Sequence, residues 1–124
     1  MSESYELGKK GEEIALNYLK KNGYQIVEQR WHYHHLELDI IAIDTATNEL
    51  VAVEVKTRRS GLWGTPEKAV DMKKMRHMVN ATDVYMRMNW VRMPVRFDII
   101  AVLMPKGERM SLRHMKDAFY APLR

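Results

Sequence analysis

The chain contains no cysteine. That excludes a disulfide framework and any thiolate nucleophile or ligand, and it fits a reducing compartment. No apolar run approaches the roughly 20 residues needed to span a bilayer, so no membrane partner is expected. The opening "MSESYELGKKGEE" is polar and acidic, unlike a secretory leader, which makes the cytoplasm the expected location. No linker or low-complexity tract interrupts the sequence, and its 124 residues are read as one domain, 1–124, with its own core.

What is present is the composition of an ordinary soluble globule, 46% hydrophobic and 29% charged. The ten methionines read as core filler. The net charge of +4 hides an asymmetry: residues 1–55 carry a net −5 and residues 56–124 a net +9. A basic half suits a polyanionic partner. An unevenly charged solvated surface would look the same.

Periodicity gives the element order. Leu7, Gly11, Ile14, Ala15, Tyr18 and Leu19 recur at helical spacing, and Asn22-Gly23 ends that helix, predicted over 4–22. Gly8 and Gly11 each cost it about 1 kcal/mol relative to alanine, and two such costs in one turn suggest that another backbone or a ligand comes close there. Glu12 borders the apolar face. "YQIVEQRW", "LELDIIAI" (36–43) and "LVAVEVK" (50–56) are β-like, and "DTATNE" between the last two has turn chemistry, which predicts a hairpin. Thr65-Pro66 reads as the start of a second helix running to Met88, with the stripe Met75, Met78, Val79, Thr82, Tyr85 and Met86 inward and Lys73, Lys74, Arg76 and His77 pointing elsewhere. "VRFDIIAVL" (95–103) is a further core strand and "MSLRHM" a last one. The order helix, three strands, helix, strand is an α/β fold with a central mixed sheet flanked by helices.

Two of these strands carry charge where apolar residues belong. Side chains alternate along a strand, so Glu37 and Asp39 share one face, as do Glu54 and Lys56. Across a hairpin Asp39 and Glu54 can meet, with Lys56 beside them. Buried carboxylates are costly unless paired or bound to a cation. A hard divalent ion such as Mg²⁺ or Mn²⁺ would satisfy them together with waters and phosphate oxygens, activating water and neutralising phosphoryl charge. Lys56 would then orient the water or stabilise developing negative charge. An ion pair at the sheet's edge, without metal, is the competing reading. Convergence favours the metal: an acid on each of two adjacent strands, a lysine two residues after the second, and Arg58 and Arg59 on the loop that follows.

The combination "GKKGE", "ELDIIAID", "VAVEVKTR", "GTPEKAV", "KKMR" and "RFDII" resembles the bacterial YraN-like family, and the closing "DAFYAPL" resembles its Bacteroidetes members. The likeness runs from about Leu7 to Leu123. That family is classed with the PD-(D/E)XK nucleases and is similar to archaeal Holliday-junction resolvases. The resemblance implies a restriction-endonuclease-like αβββαβ core and a metal-dependent endonuclease that hydrolyses DNA, with branched DNA as a candidate substrate. It places the metal-binding acids on Asp39 and Glu54, the lysine on Lys56, and on Glu12 the first-helix glutamate that completes or supports the metal site. It also points to a homodimer, as suits a symmetric substrate. Leu38 stands where the superfamily's name has proline, and Met75 where relatives often have glutamine. A non-catalytic nucleic-acid-binding module that keeps the fold is the alternative.

Other side chains stay open between two roles. Trp63, beside Arg58 and Arg59, could stack on a base or cap the core. Lys73, Lys74 and Arg76 could contact phosphates or form a solvated helix face. Asp98 repeats the strand position of Asp39 without a basic residue after it, which favours a supporting role. His32 and His34 at i, i+2 could face one way, with His35 adjacent, but a zinc site would need further ligands.

Overall fold

The computed structural model describes residues 2–59 and 71–119. Its elements are α1 (Glu3–Lys21), β1 (Tyr24–Tyr33), β2 (Leu36–Asp44), β3 (Glu49–Arg58), α2 (Met72–Met88), β4 (Val95–Leu103) and β5 (Ser111–Phe119). The first six follow the expected αβββαβ order. The strands form one sheet in the order β1-β2-β3-β4-β5. Only β3 and β4 run parallel, joined by the crossover that contains α2; the other neighbours are antiparallel.

Local chemistry sets the helix ends. Ser2 caps α1 by accepting the Tyr5 N–H at 3.1 Å, Glu3 and Glu6 lie in its first turn, and Lys20 and Lys21 in its last. Gly23 then takes φ +85°, a left-handed turn that glycine adopts at no steric cost. α2 starts later than its sequence suggests. Asp71 has extended backbone and accepts the Lys74 N–H, so it is the cap, and the helix begins at Met72. Thr65 and Pro66 lie outside the described residues.

The helices cover opposite faces of the sheet. Ala15 and Leu19 of α1 pack on Ile40, Ala42, Val51 and Val53. Met78, Val79, Ala81 and Tyr85 of α2 pack on Leu38, Ile41, Leu50 and Ala52. The expected α2 stripe holds, with Met75 and Met86 half-buried at its margin and Ala81 added at its centre. Among the described residues, no helix is long and apolar enough to cross a membrane.

The two glycines of α1 separate in role. A Cβ on Gly11 would collide with Thr57 Oγ1 and lie 2.9 Å from that residue's Cβ and Cγ2, whereas a Cβ on Gly8 would meet nothing within 4 Å. Of the two, only Gly11, where α1 crosses β3, has protein atoms this close. Gly11→Ala should therefore lower stability by about 1–3 kcal/mol through overpacking, despite its better helix propensity. Thr57→Ala in the same chain should recover part of that loss. Gly8→Ala should instead raise stability by up to about 1 kcal/mol. Urea melts of the four proteins check the pattern.

Candidate functional site

The β2–β3 register brings two acids together. The last paired residues are Ile40 and Val53; one step further along the same register, Asp39 lies across from Glu54. Side chains directly opposite on antiparallel strands share a face, with Cβ atoms about 5 Å apart. The strands part at this point. The Val55 N–H, freed from the ladder, donates to Asp39 Oδ2 at 2.8 Å. Glu54 is only 5% exposed. Two ammonium groups reach the same oxygen: Lys56 Nζ and Lys74 Nζ each lie 3.5 Å from Glu54 Oε2. Lys74 was expected to point away from the sheet; its place in the first turn of α2 instead aims it at the carboxylates.

Glu12 approaches from the other layer. Its neighbour Gly11 sits against Thr57, which seats α1 low on β3. Glu12 Oε1 accepts from Arg30 Nε at 3.1 Å. Arg30, at φ +50° within β1, drew no attention in the sequence. Glu12, Arg30, His32, Glu37 and Asp39 line one open cavity of about 580 Å³, and Gly8 forms part of its wall. The bare helix surface at Gly8 thus widens the cavity, which gives that glycine a role unlike close packing.

Burial and the mutual repulsion of the acids dominate the electrostatics of this cluster. Burial first, then the charge of Glu54, pushes the Asp39 carboxyl up to about 7, against the opposing effects of the Val55 N–H and Lys74. Burial also raises Glu12, with Asp39 adding to it and the Arg30 hydrogen bond opposing it. An acid whose folded-state value is raised binds its proton more tightly when folded. Asp39 therefore contributes stability at low pH that is lost as pH rises from about 4 to 7. In metal-free buffer this contribution should approach a slope of about 1.4 kcal/mol per pH unit in that window. Asp39→Asn should abolish it, as urea unfolding at several pH values would show.

The donor chemistry suits a hard divalent cation. Glu54 offers a buried carboxylate and Asp39 a half-buried one beside it. Among the described residues no group of three His, Cys, Asp or Glu side chains could hold a metal ion. Mg²⁺ is commonly held by one or two carboxylates plus waters and substrate phosphate, so a two-acid pair is sufficient protein ligation. Glu12, tied to Arg30, stands at the cavity's margin.

The other sequence candidates are more scattered. Arg58 donates to the Thr57 carbonyl at 2.9 Å. Arg59 donates to Glu3 Oε1 at 3.1 Å and to the Met104 carbonyl at 3.3 Å, which ties the end of β3 to the start of α1. Lys73 and Arg76 are exposed on α2. Trp63 lies outside the described residues. The histidines do not form one face: β1 ends at Tyr33, and His34 takes φ +55° in the turn, so strand alternation stops before it. His32 alone of the three lines the cavity. His77, also expected to point elsewhere, accepts the Glu37 N–H at 3.2 Å.

A second polar cluster lies in the core. Asp98 does have a basic partner, two residues before it rather than after. Arg96 grips both Asp98 oxygens at 2.9 Å, Asp44 at 2.8 Å, Glu49 at 3.0 Å and Tyr24 Oη at 2.7 Å. His114 Nε2 lies 2.7 Å from Asp98 Oδ2, and its Nδ1 lies 2.9 Å from Tyr18 Oη. Burial alone would raise Asp98, but its bonds with His114, Arg96 and the Asp117 N–H hold it below the usual carboxylate range. The same i, i+2 pattern that joins Glu54 to Lys56 was present in "RFD" and could have revealed the pair.

Comparison with known proteins agrees with this chain-long likeness. The chain is 48% identical over 123 residues to a UPF0102 protein of Bacteroides thetaiotaomicron, covering 99% of both. It is 46% identical over 124 residues to one of Parabacteroides distasonis, covering all of both. It is 41% identical over 120 residues to one of Christiangramia forsetii, covering 97% of this chain and 98% of that one. Residues 11–102, which include every acid and lysine of the site, match the uncharacterised protein family UPF0102, and the chain belongs to that family.

Proposed function

We propose that this protein is a divalent-metal-dependent endonuclease acting on DNA. The observation that carries the reading is the facing of Asp39 and Glu54 across two strands, with Lys56 3.5 Å from Glu54. Asp39 and Glu54 would hold Mg²⁺ or Mn²⁺. When bound, that ion supplies Lewis-acid polarisation of a phosphoryl oxygen and activation of water. Lys56 donates hydrogen bonds toward the negative charge that builds on the phosphoryl oxygens, in a site where burial strengthens the interaction. Glu12 adds negative charge at the cavity's margin and holds Arg30 beside the entrance. Val55 fixes Asp39 through its backbone N–H, so the acid is positioned before anything binds. Exposed Lys73 and Arg76, with Arg58 and Arg59, offer the basic surface that a DNA backbone requires.

The test is a panel of linear, single-stranded, flapped and four-way DNA incubated with Mg²⁺ or Mn²⁺. Metal-dependent cleavage of at least one member, abolished by Asp39→Asn, is expected. Binding without cleavage of any member would replace the nuclease with a nucleic-acid-binding module that keeps the fold. Neither binding nor cleavage would leave the acids as internal ion-pair partners.

A further inference from the structure

Glu54 has more positive charge around it than a nuclease lysine explains. Lys56 and Lys74 stand at the same 3.5 Å from one oxygen. Their origins differ. Lys56 lies two residues along the strand from Glu54 and shares its face. Lys74 comes from the first turn of α2, which contains no acidic residue. A lysine there sits at the positive pole of the helix, an unfavourable place on its own. The carboxylate pair offsets that cost. The Lys74 side chain is 30% exposed and open to solvent.

We propose that Lys74 is the resident countercation of the Asp39–Glu54 pair, which a divalent ion must displace in order to bind. This rests on the metal-site reading above. In the metal-free protein the ammonium holds the Glu54 carboxylate that faces Asp39. A dication on the same oxygens would lie within a few ångströms of the ammonium, and like charges at that range cost affinity. Lys74 swings outward through its solvent-exposed side, where it meets the phosphate that follows the metal. The site thereby favours metal and DNA arriving together over metal alone.

The probe is Mn²⁺ alone, without DNA, at constant ionic strength. Calorimetric titration and melting curves are compared for the wild type, Lys74→Met and Lys56→Met, with Lys74→Gln as a second variant if the methionine protein folds poorly. Lys74→Met should bind Mn²⁺ on the order of tenfold tighter and gain more melting temperature from the metal. Lys56→Met should shift the midpoint less. An unchanged or weaker midpoint in both Lys74 variants, with the wild type binding Mn²⁺ normally, would overturn the displacement role alone. Equal tightening in Lys56→Met would also overturn it, since the effect would then be one of general charge. Absence of Mn²⁺ binding in all the proteins would sink the metal-site reading and this proposal with it.

Discussion

Lys56→Ala should lower the rate of metal-dependent DNA cleavage by about 10²–10³-fold while leaving DNA affinity and the melting temperature nearly unchanged. The magnitude is that of removing one positioned electrostatic stabiliser from a transition state. The stability part follows from the geometry. Removing one partner of a buried pair normally strands a charge at a cost of 3–5 kcal/mol. Here Glu54 keeps Lys74 at 3.5 Å, so the carboxylate is not left alone. Asp39→Asn should lose at least as much rate but by another route. The amide still accepts the Val55 N–H, so the fold is kept, yet a neutral oxygen is a poor ligand for a hard cation. Single-turnover cleavage, equilibrium binding and melting curves on both variants separate these effects. Full cleavage by Lys56→Ala would remove the lysine from the reaction. A large loss of melting temperature in that variant would favour the structural ion pair.

The second large effect is on the fold. Arg96→Ala should destabilise the protein by about 3–5 kcal/mol or more, a large share of the 5–15 kcal/mol that holds an ordinary domain together. Asp98 is fully buried and Asp44 is 4% exposed, and Arg96 is the guanidinium bonded to both. Without it, two carboxylates and the Tyr24 hydroxyl lose their common donor in the interior. Arg96→Lys should fall in between, because a lysine keeps the charge but cannot span Asp98, Asp44 and Tyr24 with one planar group. Urea unfolding gives the order. Arg96→Ala should also melt at least about 10 °C lower; a change of one or two degrees would show that the network contributes little. Both Arg96 variants should keep the Asp39–Glu54 arrangement at temperatures where they stay folded, since Asp44 lies at the opposite end of β2 from Asp39.

The amino-acid order by itself determined what depends on short-range periodicity. The period of two in β2 and β3 placed Glu54 and Lys56 on one face and set Asp39 to meet Glu54 across a hairpin, and the paired residues, ending at Ile40 and Val53, run up to that point. The helical period and C-terminal stop of α1, the turn between β2 and β3, and the limits of β4 were equally local. Motifs in chain order were enough to place the chain in its family.

Only the tertiary structure decided which side chains from different elements meet. Lys74 is one of several bases on an exposed-looking helix, and nothing in its neighbours along the chain distinguishes it from Lys73. The docking of α2 puts one against Glu54 and leaves the other in solvent. Gly8 and Gly11 look alike in sequence, yet only Gly11 lies where α1 crosses Thr57. Arg96 gathers partners from β1, β2, β3 and β4, up to 72 positions away. Backbone periodicity says which way a side chain leaves its own element. The crossing of helix over sheet sets the distance between elements, and ion pairing falls off over a few ångströms, so the charge partners are fixed only once the layers pack.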